Sequence, residues 1–414
     1  MGKAAALFVI AFAAVMGMPS AAAQNPTNTC FDCHSLLEDD LGVTIEAWQS
    51  DIHMQKGLTC ANCHGGAPTT DDDRSMSKAA GFRGKMTRKQ VVEMCASCHS
   101  DAAKMRAYNP SLRTDQLNLY KASIHGKLLF ARNDAKVAVC TDCHGVHGIR
   151  PAGDTRSRVH PLNIAATCAG CHAKPDYMRP YGIPTDQFDA YQQSVHHEAL
   201  TERGDLSAPT CTTCHGNHGA APPGVAAIEN VCSTCHVFQA QLFDTSRHKH
   251  AWAAADLAPC TTCHSNHRVQ RPSDLMIGVG PKSVCRDCHS EGDPGYLEAG
   301  VIQSRLLALQ TSVHGAEELL HRAERSGMEV SQALLDLSQA RDSLTKARVS
   351  IHSFDANRVE QDITPGLKIA QGSHERGVAA MKERDFRRVG LGISVVLVIF
   401  VLFGLRLFIK SLEA

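Results

Sequence analysis

All 18 cysteines of this 414-residue chain fall in one short string, C-x-x-C-H, which occurs nine times. No cysteine is left over outside these strings to form a disulfide or a free thiol. A pattern this regular commits the chain to one kind of cysteine chemistry, used repeatedly. The pairs are Cys30 and Cys33, Cys60 and Cys63, Cys95 and Cys98, Cys140 and Cys143, Cys168 and Cys171, Cys211 and Cys214, Cys232 and Cys235, Cys260 and Cys263, and Cys285 and Cys288.

C-x-x-C-H is the attachment string of c-type haem. Two thiols three residues apart can form thioethers with the two vinyl groups on one edge of a porphyrin. The His that follows can then bind the iron from one face. We therefore expect nine covalently bound c-type haems. Their iron ligands from the strings, here called the proximal histidines, are His34, His64, His99, His144, His172, His215, His236, His264 and His289.

Two other cysteine chemistries compete with this interpretation. Structural zinc sites use C-x-x-C pairs in twos, or one pair with a distant pair of histidines, and need no His directly after every second Cys. Redox-active C-x-x-C pairs have no use for that His either. Nine strings out of nine carry it, so the sequence favours haem over both.

The composition agrees with a fold built around cofactors. Aromatic residues make up only 5% of the chain, and residues 24–296 are rich in Gly, Pro, Cys and His with few long apolar runs. Such a segment has little side-chain material for a core, so we expect haems to fill the interior. Lys and Arg together number 42, as do Asp and Glu. This balance argues against a nucleic-acid partner.

Fourteen of the 23 histidines lie outside the strings, which is enough to give each iron a second, distal His. Several follow a local pattern in which an apolar residue precedes the His by five positions, usually with Ser two before it; others trail a string by three residues. Met is the competing ligand and would raise the haem potential. The predicted distal ligands are His53, His125, His147, His160, His196, His218, His248, His267 and His314. His197, His250, His321, His352 and His374 are left as spare.

These features form an imperfect tandem repeat. Each repeat has a distal-type His, a string with a trailing His, and a second string. The repeats begin near His53, His125, His196 and His248, and the string at Cys30 precedes them. The first repeat has Ala67 where the trailing His belongs. Because repeated units stack on their neighbours, we expect the haems to form a wire.

Both ends of the chain carry apolar runs. Residues 1–23 resemble a secretory signal, with Lys3 before an apolar stretch and small residues before Gln24. Residues 389–409 are long enough to cross a bilayer as a helix, followed by a short tail, 410–414. A buried core helix is the alternative for each run. The cluster of basic residues from Lys382 to Arg388 opposes the orientation that the signal implies; we favour the signal.

Between residues 297 and 388 the composition shifts to Leu, Ala, Glu and Arg. Apolar residues recur at spacings of three and four from Ile302 to Ala323 and again from Val330 to Ile351. This periodicity predicts two amphipathic helices paired as an antiparallel hairpin. A third helix should run from about Val359 into the membrane, with a break near Pro365. We expect a mainly α and irregular fold with little β: a haem-packed domain over residues 24–296, a helical stalk, and one C-terminal transmembrane helix.

Through its strings and its Ser-x-His-Gly and Cys-His-Gly-x-His elements, the chain resembles the multihaem cytochromes c of respiratory bacteria over roughly residues 30–321. The resemblance implies low-potential haems with two His ligands in a periplasmic electron-transfer module. The segment from Ala347 to His352 is similar to the trailing helices of the nitrite reductase and hydroxylamine oxidoreductase relatives. Pentahaem nitrite reductases use a C-x-x-C-K string, which is absent here.

Three functions follow as hypotheses. We expect an electron-transfer protein, rather than an enzyme, anchored in the cytoplasmic (inner) membrane with its bulk in the periplasm. It would pass electrons between a quinol-oxidising membrane complex or cytochrome b partner and periplasmic or extracellular acceptors, including periplasmic redox proteins. The alternatives are a direct menaquinol dehydrogenase, and a reductase of nitrogen or sulfur oxyanions with one open haem. The strings at Cys95, Cys232 and Cys285 have no evident distal ligand nearby. Because a reductase would need one haem without a distal ligand, that hypothesis stays open.

Overall fold

The computed structural model describes residues 28–38, 41–70, 72–220 and 231–413. The predicted signal segment, residues 1–23, lies outside them. The described chain consists of helices and irregular segments without β-strands, which confirms the predicted mainly α fold. The chain divides into two compact units between Thr167 and Cys168. We call them the N-terminal and the C-terminal unit.

The helices up to the division are short, from 4 to 12 residues, and the last of them runs across it. They are α1 Thr29–His34, α2 Ile45–Ser50, α3 Ile52–Gln55, α4 Cys60–His64, α5 Arg88–His99, α6 Ala102–Tyr108, α7 Gln116–Ala122, α8 Ile124–Arg132, α9 Cys140–His144 and α10 Pro161–His172, with a 3-10 turn at Asp73–Met76.

The N-terminal unit has a small apolar core. Among the residues described in this unit, the buried cluster comprises Val92, Leu129, Val137 and Val139, with six partly buried residues packed against it. A cluster of this size buries too little area to order a unit of this length. This agrees with the expectation that another apolar group fills the interior.

The C-terminal unit begins with the same kind of short helix and ends with three long ones. Its helices are α11 Pro175–Met178, α12 Gln187–Gln192, α13 Val195–Thr201, α14 Cys211–His215, α15 Val237–Asp244, α16 Arg247–Ala254, α17 Thr261–His264, α18 Pro294–Arg325, α19 Ser331–Ser350 and α20 Ala356–Leu412. Turns of 3-10 helix lie at Arg179–Tyr181, Val231–Thr234, Asp274–Met276, Val284–Asp287 and Ile351–Ser353.

Helices α18, α19 and the first half of α20 pack together as a bundle, which we call the stalk. The periodic residues predicted from the sequence form its core: Ile302, Leu306, Leu309, Val313, Ala316, Leu320 and Ala323 on α18, and Ala333, Leu337, Ala340, Leu344 and Ala347 on α19. Val359, Ile363 and Ala370 of α20 complete it. The predicted hairpin is therefore closed by a third helix that covers its apolar seam.

Helix α20 is continuous through Pro365, so the break expected there is absent. It starts at Ala356, three residues before the predicted Val359. Its last third carries an exposed run of apolar side chains, from Val389 to Ile409. Within the described residues this is the single helix long and apolar enough to cross a membrane. The segment predicted from the sequence is thus a candidate membrane span.

Truncating the stalk core tests this packing. Leu337 is fully buried on α19, whereas Leu335, two residues earlier, is 61% exposed. Leu337→Ala should cost about 2–5 kcal/mol, because it leaves a cavity between three helices. The matched Leu335→Ala variant should change stability by less than about 0.5 kcal/mol. Unfolding followed by helical circular dichroism measures both, and equal effects would contradict the bundle.

Candidate metal centres

Each C-x-x-C-H string lies on or next to a short helical turn. Cys140, Cys143 and His144, for example, share the one-turn helix α9. Residues separated by three and four positions lie on the same face of a helix. The two thiols and the imidazole of this string therefore point to one side, as attachment to a single planar cofactor requires.

Six proximal histidines face a second His ring across a nearly constant gap. The ring centroids are 5.9–6.5 Å apart, while the angle between ring planes varies from 19° to 84°. The pairs are His99 with His53, His64 with His147, His236 with His196, His215 with His267, His289 with His248, and His264 with His352.

This gap matches the size of one metal ion between two imidazoles. Bonds from a metal to an imidazole nitrogen are about 2 Å long, so two rings that bind one metal from opposite sides have centroids about 6 Å apart. Rings packed directly on one another lie closer, as His248 and Phe354 do at 3.8 Å. The six pairs therefore fit an iron held between two histidines.

The geometry gives no support to the zinc or disulfide alternatives. None of the 18 cysteines, which all lie in the described part of the chain, is joined to another in a disulfide. The described residues contain no group of three or more His, Cys, Asp or Glu side chains arranged to hold a metal ion. A tetrahedral zinc site would need such a group. The residues fit haem, which needs only two axial ligands from the protein.

Three of the pairs explain the pattern of Ser two residues before His. Ser194 and Ser246 are the N-cap residues of α13 and α16, which places His196 and His248 at the second position of each helix. In the first repeat Asp51 is the cap of α3, and His53 holds the same place. Ser and Asp are favoured N-caps. The pattern therefore marks the N-terminus of a helix whose second residue is the His.

These three histidines face the second string of their own repeat. His53 lies opposite the string at Cys95, His196 opposite Cys232 and His248 opposite Cys285. The sequence suggested no ligand near these strings, because the first string of the repeat lies between each of these histidines and the string that it faces. All three were predicted as distal ligands, although their partners could not be predicted.

The trailing histidines face a string of the preceding repeat. His147, which follows the string at Cys140, lies opposite His64. His267, which follows the string at Cys260, lies opposite His215. In both cases the His that trails the first string of one repeat meets the first string of the repeat before it.

Hydrogen bonds at the second ring nitrogen fix several of these histidines. Asp51, which is 5% exposed, accepts from His53 Nδ1 at 3.1 Å, and from the backbone N–H groups of His53 and Ile149. Nδ1 of His34 donates to the Leu41 carbonyl at 2.7 Å. Nδ1 of His289 donates to Asp293 Oδ1 at 3.1 Å. Such bonds leave Nε2 as the free ligand atom and set the orientation of the ring.

Burial favours the neutral imidazole that metal binding requires. Desolvation is the largest cause that lowers the pKa of each member of the following set: His64, His147, His172, His196, His248, His264, His267 and His352. Burial alone would raise the pKa of Asp51, but its hydrogen bonds with His53 and Ile149 outweigh this and lower it. The carboxylate therefore stays charged beside His53.

Neighbouring strings lie side by side in sequence order within each unit. Thiols of successive strings lie close enough to act on one another: the thiols of Cys95, Cys168 and Cys260 lower the pKa of Cys140, Cys211 and Cys232, respectively. The other adjacent thiols interact electrostatically: Cys30 with Cys60, Cys63 with Cys98, Cys214 with Cys232, and Cys263 with Cys285. Cofactors on these thiols would therefore follow the order of the sequence.

Like the five distal ligands above, three others stay predictions. His125 is at the second position of α8, after the buried cap Ser123. His218 has its backbone N–H bonded to Asn217 Oδ1 at 2.7 Å, the same local contact that His267 makes with Asn266. His160 is buried just before α10, and its Nδ1 accepts from Leu162 N at 3.3 Å.

His314 was also predicted as a distal ligand, and the structure places it in the middle of α18. Its side chain is 71% exposed, with Nε2 3.3 Å from Glu318 Oε1. Ser312 therefore copies the sequence pattern without capping a helix. His352, which the sequence left as spare, faces His264 instead. No local sequence signal marked it.

Comparison with known proteins decides the family. The sequence profile of the cytochrome c3 family matches residues 52–174 and 205–290, which is half of the chain. The chain belongs to the cytochrome c3 family. It is therefore a multihaem c-type cytochrome, and membership of the family implies c-type haems bound covalently at C-x-x-C-H strings. This confirms the resemblance drawn from the sequence.

One relative of this cytochrome is the C-type polyheme cytochrome OmcC of Geobacter sulfurreducens. The two are 24% identical over 225 residues, which is 48% of this chain and 27% of the relative. The cytochrome thus spans about a quarter of that relative's length. No solved structure matches it.

The residue after the string offers a test of local strain. It is Gly145 or Gly216 in two strings, with φ of 91° and 80°, but Ser265 in another, with φ 63° and ψ −180°. This region of backbone space is nearly exclusive to Gly and costs other residues about 1–3 kcal/mol. Ser265→Gly should therefore raise the thermal midpoint of unfolding.

The reciprocal substitution is the matched control. Gly216→Ser should lower the midpoint by a similar amount, although a Cβ at Gly216 would meet its nearest atom at an ordinary 3.7 Å. The effect would then come from the backbone alone. Destabilisation by Ser265→Gly, followed as loss of helical circular dichroism on heating, would contradict this account.

Proposed function

We propose that this chain is a membrane-anchored nonahaem cytochrome that carries electrons between a quinol-oxidising membrane partner and periplasmic or extracellular acceptors. The ordered proximity of successive strings within each unit carries the proposal. Four strings follow one another in the N-terminal unit and five in the C-terminal unit, each beside the next. Haem supplies reversible one-electron chemistry when bound, and a chain of adjacent haems is a path for electrons.

The histidine pairs support electron transfer over catalysis. An enzyme that reduces an oxyanion needs an iron with one open position for the substrate. The three strings for which the sequence suggested no second ligand, at Cys95, Cys232 and Cys285, have His53, His196 and His248 opposite them. An iron with six ligands need not rearrange when it changes oxidation state, which suits a carrier.

The protein's own part in this function is to hold and orient ligands. Asp51 fixes the tautomer of His53, and Asp293 does the same for His289. A carboxylate at Nδ1 makes the other nitrogen more basic. This stabilises the oxidised iron and agrees with the low potentials that the resemblance implies.

The stalk argues against direct quinol oxidation by the last two haems. Ala356 begins α20 next to the loop that reaches the string at Cys260, and the apolar run begins at Val389. Thirty-three residues of continuous helix separate them, or about 50 Å along the axis. Electron tunnelling falls steeply with distance, so quinol in the bilayer would need a partner to reach these haems.

In our proposal the span lies in the inner membrane and the haem-binding bulk in the periplasm. Arg406 and Lys410 near the end of α20 can extend toward the polar surface. The predicted signal segment, residues 1–23, supports export of the haem-binding bulk to the periplasm. Partners would be a quinol-oxidising complex at the membrane and redox proteins beyond it.

Haem content is the direct test. The purified cytochrome should carry nine covalent haems by intact mass and by haem assay, and its reduced spectrum should be low-spin. A variant with Cys30 and Cys33 both changed to Ser is the control and should carry eight. Binding of carbon monoxide to a large share of the haems, or bound zinc in place of haem, would overturn the proposal.

A reconstituted membrane tests the route of electrons. In vesicles that contain long-chain menaquinol and this cytochrome alone, we expect little haem reduction. A second protein would have to carry electrons from the bilayer along the length of the stalk to the haems. Dithionite should then reduce every haem, which shows that all are competent. Complete reduction by menaquinol without a second protein would favour the direct dehydrogenase instead.

A further inference from the structure

The link between α19 and α20 reaches the last two haem strings. It consists of Ile351–Ser353, Phe354 and Asp355, and we call it the stalk loop. The ring of His352 is stacked 20° from that of His264, with centroids 6.1 Å apart. This is the separation found in the other five His pairs, which all involve predicted distal ligands.

The position of His352 is fixed as that of a ligand would be. Its Nδ1 donates to the Val349 carbonyl at 2.9 Å, which leaves Nε2 as the atom free to bind a metal. Four residues before His352, the guanidinium of Arg348 makes two hydrogen bonds with Asp274, at 2.8 and 2.7 Å. A bidentate pair of this kind fixes geometry as well as adding energy.

The repeat explains why the string at Cys260 needs a ligand from elsewhere. His147 and His267 each trail the first string of one repeat and face the first string of the repeat before. The string at Cys260 is the first of the last repeat, and no later repeat follows to provide a trailing His. The place opposite His264 would therefore be open without the stalk loop.

We propose that His352 is the second axial ligand of the haem bound by Cys260, Cys263 and His264. This inference rests on the proposed function, since it requires that haem. The helical stalk thereby completes the last repeat, and the stalk loop takes the part that the next repeat would play. The ligand lies outside the segments that match the cytochrome c3 family.

The neighbouring haem site depends on the same end of the stalk. The ring of Phe354, a residue with a positive φ of 51°, lies 3.8 Å from that of His248, which faces His289. Asp293 accepts from His289 and also caps α18 through the backbone N–H of Tyr296. Gly295 has no side chain where a Cβ would lie 2.2 Å from the His289 ring. The stalk thus supports both terminal haems.

Replacement of His352 in the full-length holoprotein tests the proposal. His352→Gly should convert one haem in nine from low-spin to high-spin and create one carbon monoxide site per chain. Added imidazole should restore the low-spin state. The matched control is His314→Gly, which removes the ligand predicted from the sequence and should leave every haem low-spin.

A second variant distinguishes loss of a ligand from misfolding. His352→Met should keep nine haems, and the iron of the haem at Cys260 should stay six-coordinate. That haem should titrate at a higher reduction potential than any haem in the parent protein. Nine low-spin haems in His352→Gly, or one high-spin haem in His314→Gly, would overturn the assignment. A parent protein with fewer than nine haems would instead count against the proposed function.

Discussion

The pairing of two imidazoles across a gap the width of one metal ion is the interaction on which the haem-binding part of this cytochrome depends. In the described part of the N-terminal unit, the buried apolar cluster has four residues, so side-chain packing contributes little to holding the short helices in place. Facing His pairs such as His53 and His99 bring together segments far apart in sequence, and a haem held between the two rings would join them. Folding of this part is therefore coupled to haem attachment, as in other domains that fold around a metal.

The stalk is stabilised by other interactions, namely hydrophobic burial and ion pairs between its helices. Its core residues, such as Leu309 and Leu337, are fully buried and come from helices with a regular apolar period. Arg305 of α18 pairs with Glu360 of α20, and Arg376 of α20 with Asp336 of α19. These contacts need no cofactor. One chain thus joins a region that depends on haem to a bundle stabilised by hydrophobic burial.

This contrast explains what the sequence could predict. The strings, the apolar stripes and the span are local patterns with a fixed period, so they could be recognised directly. The Ser-x-His pattern marks a helix start, as at His196, but it occurs equally at His314 inside a long helix. Which string a His faces depends on the tertiary path of the chain between the two. His352 lies in no recognisable motif. Such pairings are set by tertiary geometry that local spacing does not encode.

The end of the haem series presents the problem that every repeat architecture faces. An internal repeat is completed by its neighbour, and a terminal repeat needs a cap. Here the cap would have to provide a ligand as well as cover a surface, and the stalk loop offers both, with His352 beside His264 and Phe354 beside His248. Because α20 begins two residues after Phe354 and continues into the apolar run, the same short loop would tie the last haems to the membrane anchor. A change in the packing of the stalk would then act on the ligands of these haems first.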